Sequence, residues 1–139
     1  MDVRLDELIG YQLRRAQLHA FARFAEAMNG EPLTPLVAGL LLLVEAEPGA
    51  NQGELADRLG ADPSTMVRLV DQLERAGHLT RVALPTDRRH TVPTLTPDGR
   101  RFLARIKPRI EASERAITDR LTQAQRSQLI GLLRKLNGT

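Results

Sequence analysis

No cysteine occurs in the 139 residues. Disulfides, thiolate metal sites and peroxide-sensing thiols are therefore excluded. Tryptophan is also absent, and aromatic residues make up only 3% of the chain. That is too few for the base-stacking platforms of single-strand binders. The longest apolar run, Leu36 to Val44, falls far short of the ~18 residues that suggest a membrane span. No secretory or transit segment is visible at the N-terminus, so a soluble, cytoplasmic chain with no membrane partner is expected.

Lysine is nearly missing as well. Of 20 basic residues only Lys107 and Lys135 are lysine, which is why a net charge of +3 goes with a pI of about 10.1. Arginine meets phosphate through a planar fork, where lysine is a point charge. A GC-rich coding sequence yields the same arginine usage, and composition alone does not separate the two. The length suits one domain, or one domain with a small helical extension, and can bury a core without staples.

What is present is mostly helical spacing. "LDELIGYQLRRAQLHAFARFAEAM" carries apolar residues at Leu5, Ile9, Leu13, Ala16, Ala20 and Phe24. Leu8, Tyr11, Leu18, Phe21 and Met28 widen that stripe, as in a helix that touches two bodies. Thr34-Pro35 starts a second helix, apolar nearly all round and so expected to be buried. Asn51 and Glu54 form a variant capping box for a third. Gly60-Ala61 is a tight turn, and Asp62-Pro63 opens a fourth helix with an apolar stripe at Met66, Leu69, Val70 and Leu73.

"HLTRVAL" and "HTVPTL" then read as two short strands around a Pro-Thr-Asp turn region. Helix resumes at Thr96-Pro97, with a kink expected at Pro108. Thr122 and Gln125 box the start of the last helix. The expected fold is mainly α (α+β): a winged helix-turn-helix domain over 33–96, between an N-terminal dimerisation helix over 1–32 and C-terminal dimerisation helices over 97–139. The terminal helices carry too much apolar surface to leave wet, and a second copy covers it most simply, as a symmetric homodimer.

A helix-turn-helix puts the N-terminal residues of its second helix into the DNA major groove. Those residues include Ser64, Thr65, Val67 and Arg68. Ser64 and Thr65 are short donors, and Arg68 can meet guanine O6 and N7 with both fork nitrogens. The helix starts near Gln52 and Ser64 offer backbone N–H groups to phosphate. The hairpin that follows, "PTDRRHTVPTLTPDG", holds Arg88 and Arg89 beside Asp87. A hairpin flanking a major-groove helix falls over the adjacent minor groove, whose negative potential draws arginine, most strongly at A·T tracts. Asp87 is placed to hold one guanidinium through a forked ion pair.

The blocks "QGELADRLGADPSTMVRLVDQLERAGHLTR" and "DRRHTVPTLTPDGR" strongly resemble the multiple-antibiotic-resistance regulator (MarR) family of bacterial winged-helix repressors, over almost the whole chain. The D-x-R wing motif falls on Asp87 and Arg89, and "LTPDG" spans Leu95 to Gly99. The resemblance implies a minor-groove role for Arg89, with Arg88 as a phosphate neighbour, and a dimer built by the terminal helices. It implies a transcriptional regulator of a palindromic double-stranded operator, a repressor relieved by a small aromatic or phenolic acid held between the dimer helices and the winged domain. Tyr11, Arg15 and His19 recur at spacing four on the first helix and are candidate contacts for that acid. They fit a dimer seam or a solvated face as well.

The chain departs from the family pattern in three places. Val67 stands where Ser or Thr is common, so a thymine methyl is its expected contact. Pro93 sits in the second wing strand, which should therefore be an edge or irregular there. His78 takes a position where an apolar residue is commoner.

No catalytic constellation and no Gly-rich phosphate loop stands out, so no enzyme is expected. His19, His78 and His90 lie on different elements without ligand spacing, so neither a metal site nor a cofactor is expected. The competing reading is a winged-helix dimerisation and protein-interaction module that does not bind DNA. The basic wing argues against it.

Overall fold

The computed structural model describes residues 2–139. A 3-10 turn, Leu5–Glu7, precedes six helices and one hairpin. These are α1 (Ile9–Met28), α2 (Pro35–Ala46), α3 (Gln52–Leu59), α4 (Pro63–Arg75), β1 (Leu79–Ala83), β2 (Thr91–Leu95), α5 (Pro97–Ile117) and α6 (Gln123–Asn137). The chain divides into two compact units. One is Gly30–Arg109; the other joins the chain up to Asn29 with Ile110–Thr139.

The unit Gly30–Arg109 is a winged helix. Its core is built by Leu40, Leu41 and Val44 of α2, Leu55 and Ala56 of α3, and Met66, Leu69, Val70 and Leu73 of α4. Leu79 and Leu95 of the hairpin and Leu103 of α5 close it. The caps follow the side-chain chemistry. Thr34 accepts from Val37 N–H at 3.2 Å, and Asn51 accepts from Glu54 N–H at 2.8 Å. Only half of the capping box at Asn51 forms. Gly60 ends α3 with φ +64°, the left-handed conformation that lets the chain turn into α4.

The hairpin is a two-stranded antiparallel sheet that pairs Leu79 with Leu95 through Ala83 with Thr91. Thr96 N–H donates to the His78 carbonyl at 3.1 Å, and Leu84 N–H to the His90 carbonyl at 2.9 Å. By the alternation of an antiparallel ladder, Arg81 and Pro93 form a non-hydrogen-bonded pair. The strand stays regular at Pro93 for that reason: the missing N–H is on the outer side of an edge strand.

His78 has a clear structural role. Gly77, at φ +81°, closes α4, and His78 N–H returns to the Leu73 carbonyl at 2.9 Å. This is the helix-ending motif in which an apolar side chain usually follows the glycine. Here the imidazole packs as a ring instead, stacked on Phe102 at 4.3 Å between centroids and 17° between planes. Thr96 ties the same joint: its hydroxyl donates to the Gly77 carbonyl at 2.6 Å and accepts from Gly99 N–H at 2.9 Å, which caps α5.

In the other unit, the long helical pattern expected from Leu5 onward is interrupted at Leu8, and α1 proper begins at Ile9. α5 passes through Pro108 without ending and reaches Ile117. Thr122 and Gln125 form both bonds of their capping box. Ser113 is buried and donates to the Ile110 carbonyl at 2.8 Å. No residue of α6 is buried, and Leu129, Ile130, Leu132 and Leu136 stand exposed.

The joint at His78 makes a testable demand on Gly99. A Cβ there would lie 2.0 Å from the His78 carbonyl oxygen, a backbone atom that cannot swing aside. Gly99→Ala should therefore destabilise the chain by about 1–3 kcal/mol or more, as overpacking does. Denaturant titration measures this; an unchanged midpoint would mean the α4–hairpin–α5 joint is slack.

Candidate nucleic-acid interface

α4 is sharply two-faced. Met66, Leu69, Val70 and Leu73 are buried, while Ser64, Val67 and Arg68 face outward. Arg68 is exposed and makes no hydrogen bond or ion pair with the described residues. Val67, 44% exposed, and Val82 of β1 are the large apolar side chains left open in Gly30–Arg109.

The start of α4 is already occupied in the free chain. Asp62 accepts from Thr65 N–H at 2.7 Å and from the Ser64 hydroxyl at 2.7 Å. Its carboxyl is held below its ordinary range by the Thr65 backbone bond first, then by the Ser64 and Thr65 side chains. Asp62 thus takes the Thr65 amide and the Ser64 hydrogen that sequence reasoning assigned to DNA. Ser64 retains acceptor lone pairs, and Thr65 is half-buried. Gln52, half-buried, stands at the first position of α3, where the Asn51 side chain takes the Glu54 amide.

The wing tip holds Asp87, Arg88 and Arg89 together. Asp87 accepts from Arg89 three times: backbone N–H at 3.1 Å, Nε at 3.2 Å and Nη2 at 3.4 Å. His90 Nε2 lies 3.5 Å from Asp87 Oδ2, the oxygen that accepts from Arg89 Nη2. The Arg89 side chain is 87% exposed, so this pair contributes little to stability. Its effect is on orientation: the fork limits the rotamers of a side chain that otherwise sweeps through solvent. Arg88 is exposed and has no partner among the described residues.

Sequence reasoning missed two clusters nearby. Arg81 of β1 bonds Asp71 and Glu74 of α4 together, at 2.7 and 2.8 Å. Glu31 receives Arg105 at 2.6 Å and lies 3.9 Å from Arg109; the Arg105 hydrogen bond is the main cause holding its carboxyl below the ordinary range. The first joins residues on two elements, seven and ten positions apart, and the second residues 74 apart, and no periodicity within one element signals either. Next to Glu31, a cleft of about 220 Å³ lies behind the C-terminal end of α4, lined by Leu33, Val37, Leu73, His78 and Phe102 among others.

The candidate effector residues are all on α1. His19 Nε2 donates to the Ile117 carbonyl at 3.2 Å, so it is engaged within its own unit. Tyr11 is half-buried and Arg15 exposed, with no polar partner among the described residues. The described residues contain no cluster of His, Cys, Asp or Glu able to hold a metal, and no helix long and apolar enough to cross a membrane.

An outward-facing second helix of a helix-turn-helix with a basic hairpin beside it defines a winged helix-turn-helix protein of the DNA-binding kind. The MarR family sequence profile matches residues 31–90. A putative transcriptional regulatory protein for the hcr operon of Thauera aromatica is 39% identical over 129 residues, covering 92% of this chain and 78% of that one. The transcriptional repressor CouR, solved bound to a 23-mer DNA duplex, is 36% identical with a TM-score of 0.88, over 99% of both chains. BpsR of Bordetella bronchiseptica, solved in work on regulation of its DNA binding by 6-hydroxynicotinic acid, is 25% identical with a TM-score of 0.92, over 100% of this chain and 99% of its own. The chain belongs to the MarR family of transcriptional regulators.

The Asp62 cap carries a pH signature. Because its folded pKa is depressed, the charged cap stabilises the fold above its unfolded pKa, and that gain is lost as pH falls through the folded value. Asp62→Asn keeps the acceptor without the charge. The gap in melting temperature between wild type and Asp62→Asn should therefore narrow on acidification below the usual carboxylate range. A gap constant across that range would mean the ionised carboxylate adds nothing at this cap.

Proposed function

We propose that this chain is a homodimeric repressor that binds a palindromic duplex through α4 and the wing and is released by a small aromatic or phenolic acid. One observation carries the reading: Arg68 on the outward face of α4 and Arg89 on the wing are both exposed cations, and Arg89 is oriented by a fork to Asp87. Arg68 reads a guanine edge in the major groove. Arg89 enters the adjacent minor groove, and Arg88 meets phosphate. Val67 packs on a thymine methyl, while Gln52, Ser64 and Thr65 approach the backbone. The DNA-bound state of CouR supports this use of the fold.

The dimer rests on the unit formed by the two chain ends. Of the exposed large apolar side chains, all but Val67 and Val82 belong to it, among them Ile9, Leu13, Phe21, Leu132 and Leu136. A two-fold partner covers such a surface on both copies at once. Half-sites then recur about one helical turn apart. The regulation of BpsR by 6-hydroxynicotinic acid supports an aromatic acid as effector here. Arg15 supplies its carboxylate partner, with Tyr11 and His19 on the same helix face.

The reading is tested by binding of single variants to matched duplexes with A·T or G·C flanks, over a range of salt. Arg68→Ala should cost roughly 1–3 kcal/mol at one or two base positions and relax preference there. Arg88→Ala should weaken all sequences about equally and lower the salt slope by about one. Arg89→Ala should weaken chiefly the A·T-flanked duplex. Wild-type binding that is absent at low salt, or indifferent to salt, would leave the interaction-module reading in its place.

A further inference from the structure

We infer that Arg81 is a positioning residue that locks the wing to the recognition helix, so that Arg89 and Arg68 reach DNA as one unit. The inference rests on the reading that α4 and the wing contact duplex DNA. Its basis is a single side chain that joins the two. Arg81 Nη2 donates to Asp71 at 2.7 Å and Nη1 to Glu74 at 2.8 Å. Asp71 and Glu74 are one turn apart on α4, so the two ends of one rigid guanidinium grip two points along the helix axis. Two points fix a direction, where one would leave a pivot.

The position of this grip matters. Leu79 and Leu95 bury the base of the hairpin, and on β2 Val92 is buried one register step past Arg81. Beyond Arg81, β1 continues only with Val82 and Ala83, both exposed. Arg81 is therefore the outermost side chain through which β1 is tied to α4, and the wing tip at Asp87 to Arg89 extends past it. The Arg81 side chain is 28% exposed, against 46% for Asp71 and 42% for Glu74, so water competes for these bonds less than at the wing tip. Across the ladder Arg81 faces Pro93, at a pair with no cross-strand backbone bond.

A purely structural ion pair would change stability alone. A positioning role changes how two DNA contacts depend on each other, which a double-mutant cycle reads directly. The cycle combines Arg81→Met with Arg89→Ala, measured as affinity for an A·T-flanked duplex selected by the wild-type chain. Arg81→Met keeps an unbranched apolar stem at this position and removes both bonds. In that background Arg89→Ala should lose much less affinity than in the wild type, a coupling of roughly threefold to tenfold. Arg81→Lys is the second variant, and it serves if Arg81→Met does not fold. Lysine keeps the charge but cannot span both carboxylates. The coupling should fall in it too.

Equal loss from Arg89→Ala in the wild type and in either Arg81 variant overturns the inference and leaves DNA binding intact. Coupling lost in Arg81→Met but fully kept in Arg81→Lys also overturns it, since Arg81 would then only neutralise two carboxylates near the phosphates. A wild-type chain that binds no duplex from a random pool overturns the functional reading, and this inference with it.

Discussion

The burial of one stripe of α4 is the constraint on which the proposed DNA-facing side depends. Met66, Leu69, Val70 and Leu73 are sealed against α2, α3, the hairpin and α5. Each such side chain contributes roughly 1.5–3 kcal/mol by leaving water. A helix held on one face by four such anchors can neither roll nor slide. Its other face, with Val67 and Arg68, is thereby presented in a fixed direction without any contact of its own. The closing turns hold the same geometry from both ends: Asp62 caps the start, and Gly77, His78 and Thr96 lock the exit into the hairpin.

Charge is organised to suit that frame. The carboxylates of the winged unit mostly serve arginines or helix ends: Asp87 orients Arg89, Asp71 and Glu74 hold Arg81, and Glu31 holds Arg105. The arginines left without partners include Arg68 and Arg88, on the helix face and wing tip that together define the proposed DNA surface. An arginine-rich composition alone did not predict this. Arg89 differs from Arg68 and Arg88 in being paired, but its partner Asp87 lies on the same wing tip and leaves the guanidinium exposed.

Much of this was legible in the sequence because it is local. Thr34-Pro35, Asn51, Asp62-Pro63 and Thr122 with Gln125 all cap the helices that their chemistry announces. The wing was legible because Asp87 and Arg89 are two residues apart and meet across a turn. What escaped depends on tertiary approach. His78 is explained only by Phe102, 24 positions on, and Arg81 only by two carboxylates on another element. At Pro93 the sequence left two outcomes, an edge strand or an irregular one; the strand is an edge, and which kind of ladder pair Pro93 occupies was not legible, because register is not written in one strand alone. The continuation of α5 through Pro108, by contrast, was legible from the apolar spacing, and the helix ends at Ile117.

The central claim is that the wing lies in a minor groove beside a major-groove helix. The absence of cysteine makes a direct test simple. Arg88→Cys introduces a single thiol at the exposed wing tip, to which an iron chelate that cuts nearby DNA can be attached. On a duplex selected by the wild-type chain, the account predicts cuts on both strands within the minor groove, at two places related by the two-fold of the site. Cuts confined to the major groove, or one asymmetric cluster, would contradict it.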